Sequence, residues 1–385
     1  MWSMSKRNTA LAALLVGVGF VACGGDPGAG AVEMRNGNPA QSTNPNADNG
    51  RPASGGASGS GATSGTTPST APGVYSIVDL GTLGGQLSQA VSVNAAGVVA
   101  GVSAMADDAR HGFIYERGAM TELGTLGGTI SVGYAINASG AVTGYSTLPT
   151  GSYRAFLYQD GRMTNLGALG GSDYSSAAAL NSEGDVVGES AVPNSDRHEA
   201  FVYRDGTMVD LGTLGGEYSN AHGINDAGDI VGYSSLPDGS FHAFLVRAGQ
   251  MSDLGTLGGS YSKAYAINEA GQIVGQGYLP GDAKAHAFLR QNGVMTDIDA
   301  LSNVHSEALA INTAGVVVGD FETPGDGVVE MKAFVFVGGQ MKDLNQLIPA
   351  GAGWQLNIAS GINDRGQIVG SGMLRGQQHA FLLNP

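Results

Sequence analysis

The heptad DLGTLGG runs from Asp79 to Gly85 and returns at Asp210–Gly216 and Asp253–Gly259. With Glu at its head it stands at Glu122–Gly128, and a close relative, NLGALGG, stands at Asn165–Gly171. Two drifted copies, DIDALSN from Asp297 and DLNQLIP from Asp343, complete a set of seven. A chain that writes one phrase seven times is a repeat protein, and the period decides which kind. Asn-x-x-Gly recurs at Asn94, Asn137, Asn181, Asn225, Asn268, Asn312 and Asn363, in steps of 43, 44, 44, 43, 44 and 51 residues. A third element falls between them: HGFIYERG at His111, RAFLYQDG at Arg154, EAFVYRDG at Glu199, HAFLVRAG at His242, HAFLRQNG at His286, KAFVFVGG at Lys332 and HAFLL at His379.

Each repeat holds four short strands. Around Asn225, AHGIN is the first strand, Gly228 marks a tight turn, and DIVGYS returns as the second. SLPDGS is a loop, FHAFLVR the third strand, and MSDLG the fourth. Short apolar runs bounded by Gly, Asn, Asp and Pro are strand-and-hairpin signals, and none is long enough for an ordinary helix. Four strands in about 44 residues match a propeller blade. The ends of the array are out of phase. It starts on a fourth strand, VYSIVDLG from Val74, and finishes on a third, HAFLLNP. The N-terminal strand can therefore complete the last blade and remove an open sheet edge. The expected fold is all-β: a closed seven-bladed β-propeller over residues 74–385.

The heptad then has a structural purpose. It ends the outer strand and begins the crossing to the inner strand of the next blade. Glycine there permits positive φ and close backbone approach, and leucines such as Leu211 and Leu214 fill the space between blades. A phosphate cradle would need the G-x-G-x-x-G order, a Lys-Ser/Thr pair and a following helix, all missing here. The repeated Asn is expected to bond its own backbone two residues on.

Outside the array the chain changes character. Lys6 and Arg7 precede the apolar stretch TALAALLVGVGFVA, which is short for a bilayer span and leads into Cys23, the only cysteine. FVAC, Phe20 to Cys23, resembles a bacterial lipoprotein signal, in which cleavage precedes a cysteine that receives the lipid. Phe20 stands where that pattern usually has Leu. Residues 1–22 are thus expected to be a signal peptide, Cys23 the lipidation site, and the location the bacterial cell envelope, outside the cytoplasm. Residues 24–73 are rich in Gly, Ser, Pro, Thr and Asn and contain no aromatic residue. Such a segment buries too little to offset its ordering entropy. As a coil its r.m.s. span is about 40 Å, enough to hold a domain clear of the membrane.

Composition narrows the partners. The chain carries 64 glycines and a net charge of −15, which becomes −17 once residues 1–22 and their two positive charges are removed. A surface that neutralises nucleic-acid phosphates is not expected, and contact with the membrane is left to the lipid anchor. The sequence shows no cofactor signature, no calcium loop and no Gly-x-Ser-x-Gly elbow. His111, His242, His286 and His379 share one repeat position, which Arg154, Glu199 and Lys332 occupy elsewhere. They lie on third strands of different blades and are expected to be partly exposed polar edge positions, not a metal set.

The array resembles the HAF-type extracellular repeat family. The motif stands here as His242-Ala243-Phe244, His286-Ala287-Phe288 and His379-Ala380-Phe381. The companion AIN-x-x-G-x-IVG runs from Ala266 to Gly275, and GWQLNIASGINDRGQIVGSG from Gly353 to Gly372. The resemblance covers about 310 residues. It implies a secreted or surface-exposed bacterial repeat protein and supplies no catalytic residue or cofactor.

A propeller puts the fourth-to-first and second-to-third loops on one face. Those loops carry Tyr174, Tyr218 and Tyr261, and Tyr145, Tyr153, Tyr233, Phe241 and Tyr278. The opposite face has short turns. The aromatic face is the expected binding face, for a glycan or a protein. Symmetry breaks at the 51-residue step, where IPAGAGWQLN brings Trp354, either a stacking platform or a plug at the blade junction. A scaffold without small ligand and a polysaccharide-acting enzyme are the alternatives. Catalysis would need converging acids or a His/Tyr pair at the channel mouth. The first strands read AIN, GIN and ALN without an acid, so the hub is expected to be inert.

Overall fold

The computed structural model describes residues 74–385 apart from 196, 303 and 325–328. The expected signal peptide, lipidation site Cys23 and tether lie outside the described residues.

Seven four-stranded antiparallel sheets form the domain. We number the blades 1 to 7 by their first strands: Gly84–Val93, Ser131–Ile136, Ser175–Leu180, Ser219–Ile224, Ser262–Ile267, Ser306–Ile311 and Trp354–Ile362. First strands of successive blades touch one another round the hub, and the last touches the first. Closure is as the phase of the repeats requires. Ser76–Asp79 pairs antiparallel with Gln377–Asn384, in the register Ser76↔Asn384 to Asp79↔Phe381, and completes blade 7.

The packing explains the motif letters. The seven HAF-type phenylalanines, Phe113 to Phe381, are 0% exposed and form the core between blades. The residue before each is Ala or Gly. In six blades its N–H bonds to a serine Oγ at the start of a first strand, as Ala243 N to Ser262 Oγ at 2.8 Å and, across the closure, Ala380 N to Ser88 Oγ at 2.9 Å. Five of these serines then donate to a heptad glycine carbonyl, as Ser219 Oγ to Gly212 O at 2.6 Å, while Ser306 donates to Asp299 Oδ2 at 2.7 Å.

Every letter of the heptad has a partner. In the copy at Asp210, the carboxylate accepts the Gly212 N–H at 2.7 Å, and Leu214 N bonds to Ser234 Oγ at 2.9 Å. Thr213 Oγ1 donates to Gly216 O at 2.9 Å. Gly215 has φ of 103°, which strains any L side chain. A Cβ on Gly216 would lie 2.6 Å from the Ser235 carbonyl oxygen. Leu211 and Leu214 pack on the core between blades 3 and 4.

At the turn end the seven Asn side chains form a closed ring. Each Nδ2 donates to the backbone carbonyl of the Asn in the next blade, from Asn94 to Asn137 at 3.1 Å round to Asn363 and back to Asn94 at 2.9 Å. The Oδ1 atoms accept local N–H groups, as Asn268 does from Ala270 and Gln272. The sequence showed the local turn; the bond to the next blade joins residues about 44 apart and needs the fold to be seen.

Candidate functional site

The repeat histidines are not loose edge positions. Each Nδ1 meets an acid of the neighbouring fourth strand, and that acid is the first letter of the heptad. His111 pairs with Glu122 at 2.5 Å, His242 with Asp253 at 2.8 Å, and His286 with Asp297 at 2.9 Å. His379 pairs with Asp79 at 2.9 Å and so latches the closing strand. His286 is buried at 9% exposure. The expectation of partly exposed edges overlooked the acid eleven residues on.

Blade 3 breaks this latch. Glu199 takes the histidine position and faces Asp210, so two carboxyl groups meet. A hydrogen bond to Asp210, burial and the charge of Asp210 together push Glu199 up to about 7, against a pull from Arg197.

On the loop end the aromatic residues named from the sequence come together. Tyr145, Tyr153, Tyr174, His198, Tyr218, Phe241, Tyr261 and Tyr278 form one chain of ring contacts, with successive centroids 4.8 to 6.2 Å apart. Tyr233 joins it through Tyr218 at 5.7 Å. Backbone bridges Tyr153↔Tyr174 and Phe241↔Tyr261 fasten the two loop sets together. The belt spans blades 2 to 5. His198 was missed because it occupies the slot before the HAF motif, where the other blades read Arg, Tyr, Phe, Ala, Met or Gln.

Trp354 is elsewhere. It opens the first strand of blade 7, meets Phe381 edge-on at 6.0 Å, and packs against the cluster of Tyr75, Leu344 and Leu383. Ile348 of the same insertion and Leu347 just before it pack there too, and Leu347 O accepts the Tyr75 N–H at 2.6 Å. The extra residues of the 51-residue step thus cover the seam where the ring closes.

Beneath the belt the hub is not inert. In blades 2 to 6 the first strand begins six residues before the Asn, so the short triplets omitted their polar ends. Lys263, Glu307, His222, Tyr134 and Tyr265 all sit on first strands. Asp320 on the second strand of blade 6 is the register partner of Glu307. Burial drives Glu307 and Asp320 up, Asp320 further through its acidic neighbours, while Lys263 and Tyr265 restrain Glu307. Burial, then Lys263, lowers His222 to about 3, so it is neutral. Glu189, 3% exposed, accepts the hydroxyls of Tyr174 at 2.9 Å and Tyr218 at 2.6 Å, with His198 Nδ1 at 3.8 Å. Burial, then Glu189, holds the Tyr218 phenol well above its usual range.

A cavity of about 680 Å³ lies beside the belt at blade 3. Its walls, Gly170–Asp173 and Ala191–Ser195, are the loops that lead into Tyr174 and towards His198. At the turn end a second hollow, about 290 Å³, is lined by Val93, Ile136, Ile267, Ile311 and Ile362 with Asn268 and Asn363. Among the described residues no group of three or more His, Cys, Asp or Glu side chains could hold a metal ion.

The chain matches no family model and no curated protein. Solved structures share its fold. The acylaminoacyl peptidase of Pyrococcus horikoshii aligns with a TM-score of 0.51 and 12% identity, over 78% of this chain and 51% of the peptidase. TolB from Acinetobacter baumannii aligns at 0.42 and 13%, over 76% of this chain and 81% of its own. A gluconolactonase of Xanthomonas campestris aligns at 0.40 and 11%, over 80% and 88%. At 12% identity the likeness to the peptidase is one of fold alone. The seven four-stranded sheets make the chain a seven-bladed β-propeller.

Proposed function

We propose that this protein is a lipid-anchored binding module of the bacterial cell envelope that recognises a glycan through the loop face of its propeller. In this reading Cys23 carries the lipid, the following residues act as a tether, and the array belongs with the HAF-type extracellular repeats. The observation that carries the reading is the belt. Mostly half-buried tyrosine rings, joined by His198 and Phe241 into one aromatic chain beside a polar cavity, offer stacking faces and hydroxyls together, the combination a sugar ring requires. Tyr145, Tyr174, Tyr218, Tyr233, Tyr261 and Tyr278 supply that surface, and Trp354 serves as the plug of the closure seam.

A glycan array tests this with wild type, Tyr261→Ala and Trp354→Ala, each checked for a cooperative melt. The expected result is selective binding by wild type, at least tenfold weaker in Tyr261→Ala. Trp354→Ala should melt lower yet bind normally while folded. Silence of folded wild type across the array would sink the sugar reading and favour a protein partner or a scaffold role.

A further inference from the structure

Blades 4 and 5 meet in a cage of rings that the protein fills itself. His222, Tyr233, Phe241 and Tyr261 follow one another with centroids 5.4, 6.0 and 5.9 Å apart. Lys263 Nζ sits 4.6 Å from the Tyr233 centroid and 5.2 Å from that of Tyr261. An ammonium over two ring faces is a cation–π arrangement, strongest where water is excluded.

Two blades earlier the same cage is built again. Tyr134, Tyr145, Tyr153 and Tyr174 occupy the equivalent repeat positions, with centroids 5.7, 5.5 and 6.1 Å apart. What differs is the first strand that should fill it. Ser176 stands where blade 5 has Lys263, and Ala178 where it has Tyr265. The residue beside Ser176 in register is Glu189, where blade 5 puts Gln276 beside Lys263. One copy thus brings its own ammonium and a neutral neighbour; the other brings a short side chain and a buried carboxylate. That carboxylate is oriented by the Tyr174 and Tyr218 hydroxyls. It also acts on Tyr134, whose phenol is raised by burial and then by Tyr145 and Glu189. Arg154, which also borders this region, turns its guanidinium to the carbonyls of Tyr153 and Ser172, both at 2.9 Å.

We propose that the Tyr134–Tyr145–Tyr153–Tyr174 cage, with Glu189, is a binding site for a small alkylammonium group, which takes the place that Lys263 fills in blades 4 and 5. The ligand is a free amine, a quaternary amine or the amine of an amino sugar. The cage shares Tyr145 and Tyr174 with the proposed glycan face, but the glycan array reads Tyr261 and the amine titration reads Ser176 and Glu189, so either reading can fail without the other.

Calorimetric titration of the full chain decides it, with choline, ethanolamine, glucosamine and 3,3-dimethylbutanol, the uncharged isostere of choline. At least one amine should bind, at least tenfold more tightly than the isostere. Choline as the tightest ligand assigns a quaternary ammonium, ethanolamine a primary amine, and glucosamine an amino sugar. Ser176→Lys copies the self-filled cage and should weaken binding at least tenfold with a native melt. Glu189→Gln keeps the shape and should weaken it several-fold, which serves if the lysine variant fails to fold. Choline and isostere binding alike, undiminished binding by folded Ser176→Lys, or no amine binding at millimolar concentration would each overturn the proposal.

Discussion

The two ends of the propeller are written by the same repeats and obey them to different degrees. At the turn end all seven blades place Asn at one position, and the seven side chains close one ring of hydrogen bonds. At the loop end one first-strand position differs in every blade. The slot five residues before the Asn reads Gln89, Val132, Ser176, Asn220, Lys263, Glu307 and Ile358. Uniformity marks the positions that hold the ring together; divergence marks the end to which the proposed recognition is assigned. The acidic and aromatic groups of the hub all lie on the divergent side.

The sharpest way to break the uniform end is Asn225→Ala. The side chain accepts the Asp229 N–H at 2.9 Å and donates to Asn268 O at 3.3 Å, and it is 3% exposed. Its loss leaves a buried donor and a carbonyl without their partner, a cost of about 2–3 kcal/mol. Urea unfolding should show that loss, with ligand binding by the folded fraction unchanged. An unaltered midpoint would mean that the ring is a by-product of the turn.

How much of this was readable in advance follows the same division. The period, the out-of-phase ends and the turn residues are local signals, so the blade count, the closure and the gathering of the aromatic residues at one end were legible from the sequence. The latch was half legible: His and acid recur eleven residues apart, but only pairing of the third strand with the fourth brings them together. The hub was misread because a triplet beside a strong marker was taken for the whole strand, leaving out Lys263 and Glu307. The twin cages needed both structure and repeat, since residues 145, 153 and 174 meet only after two blades pack.

The latch gives a second, smaller contrast. Asp253 pairs with His242 and accepts the Gly255 N–H at 2.7 Å. Asp253→Ala should cost about 1 kcal/mol, since the pair is partly exposed and screened. The loss should shrink in high salt. A loss that salt does not touch would assign the effect to the glycine cap alone.

Blade 3 should respond with the opposite sign. Glu199 is held at about 7 by Asp210 and burial, above an unfolded carboxyl near its ordinary 4.5. A raised carboxyl contributes stability that is fully present below about pH 4.5 and is lost as pH rises through 7. Above that the two carboxylates repel, with Arg197 at 3.7 Å offsetting part of it. Glu199→Gln keeps the shape and removes the charge. It should leave stability nearly unchanged at pH 4.5 and increase it at pH 8, by on the order of 1 kcal/mol or less after screening, read as a higher melting temperature. Glu199→His, which writes the latch of blades 1, 4, 5 and 7 into blade 3, should stabilise at pH 8 as well. If Glu199→Gln destabilised blade 3 at pH 8, the glutamate would be serving as an acceptor, as Asp253 does, and the contrast between latched and broken blades would fail.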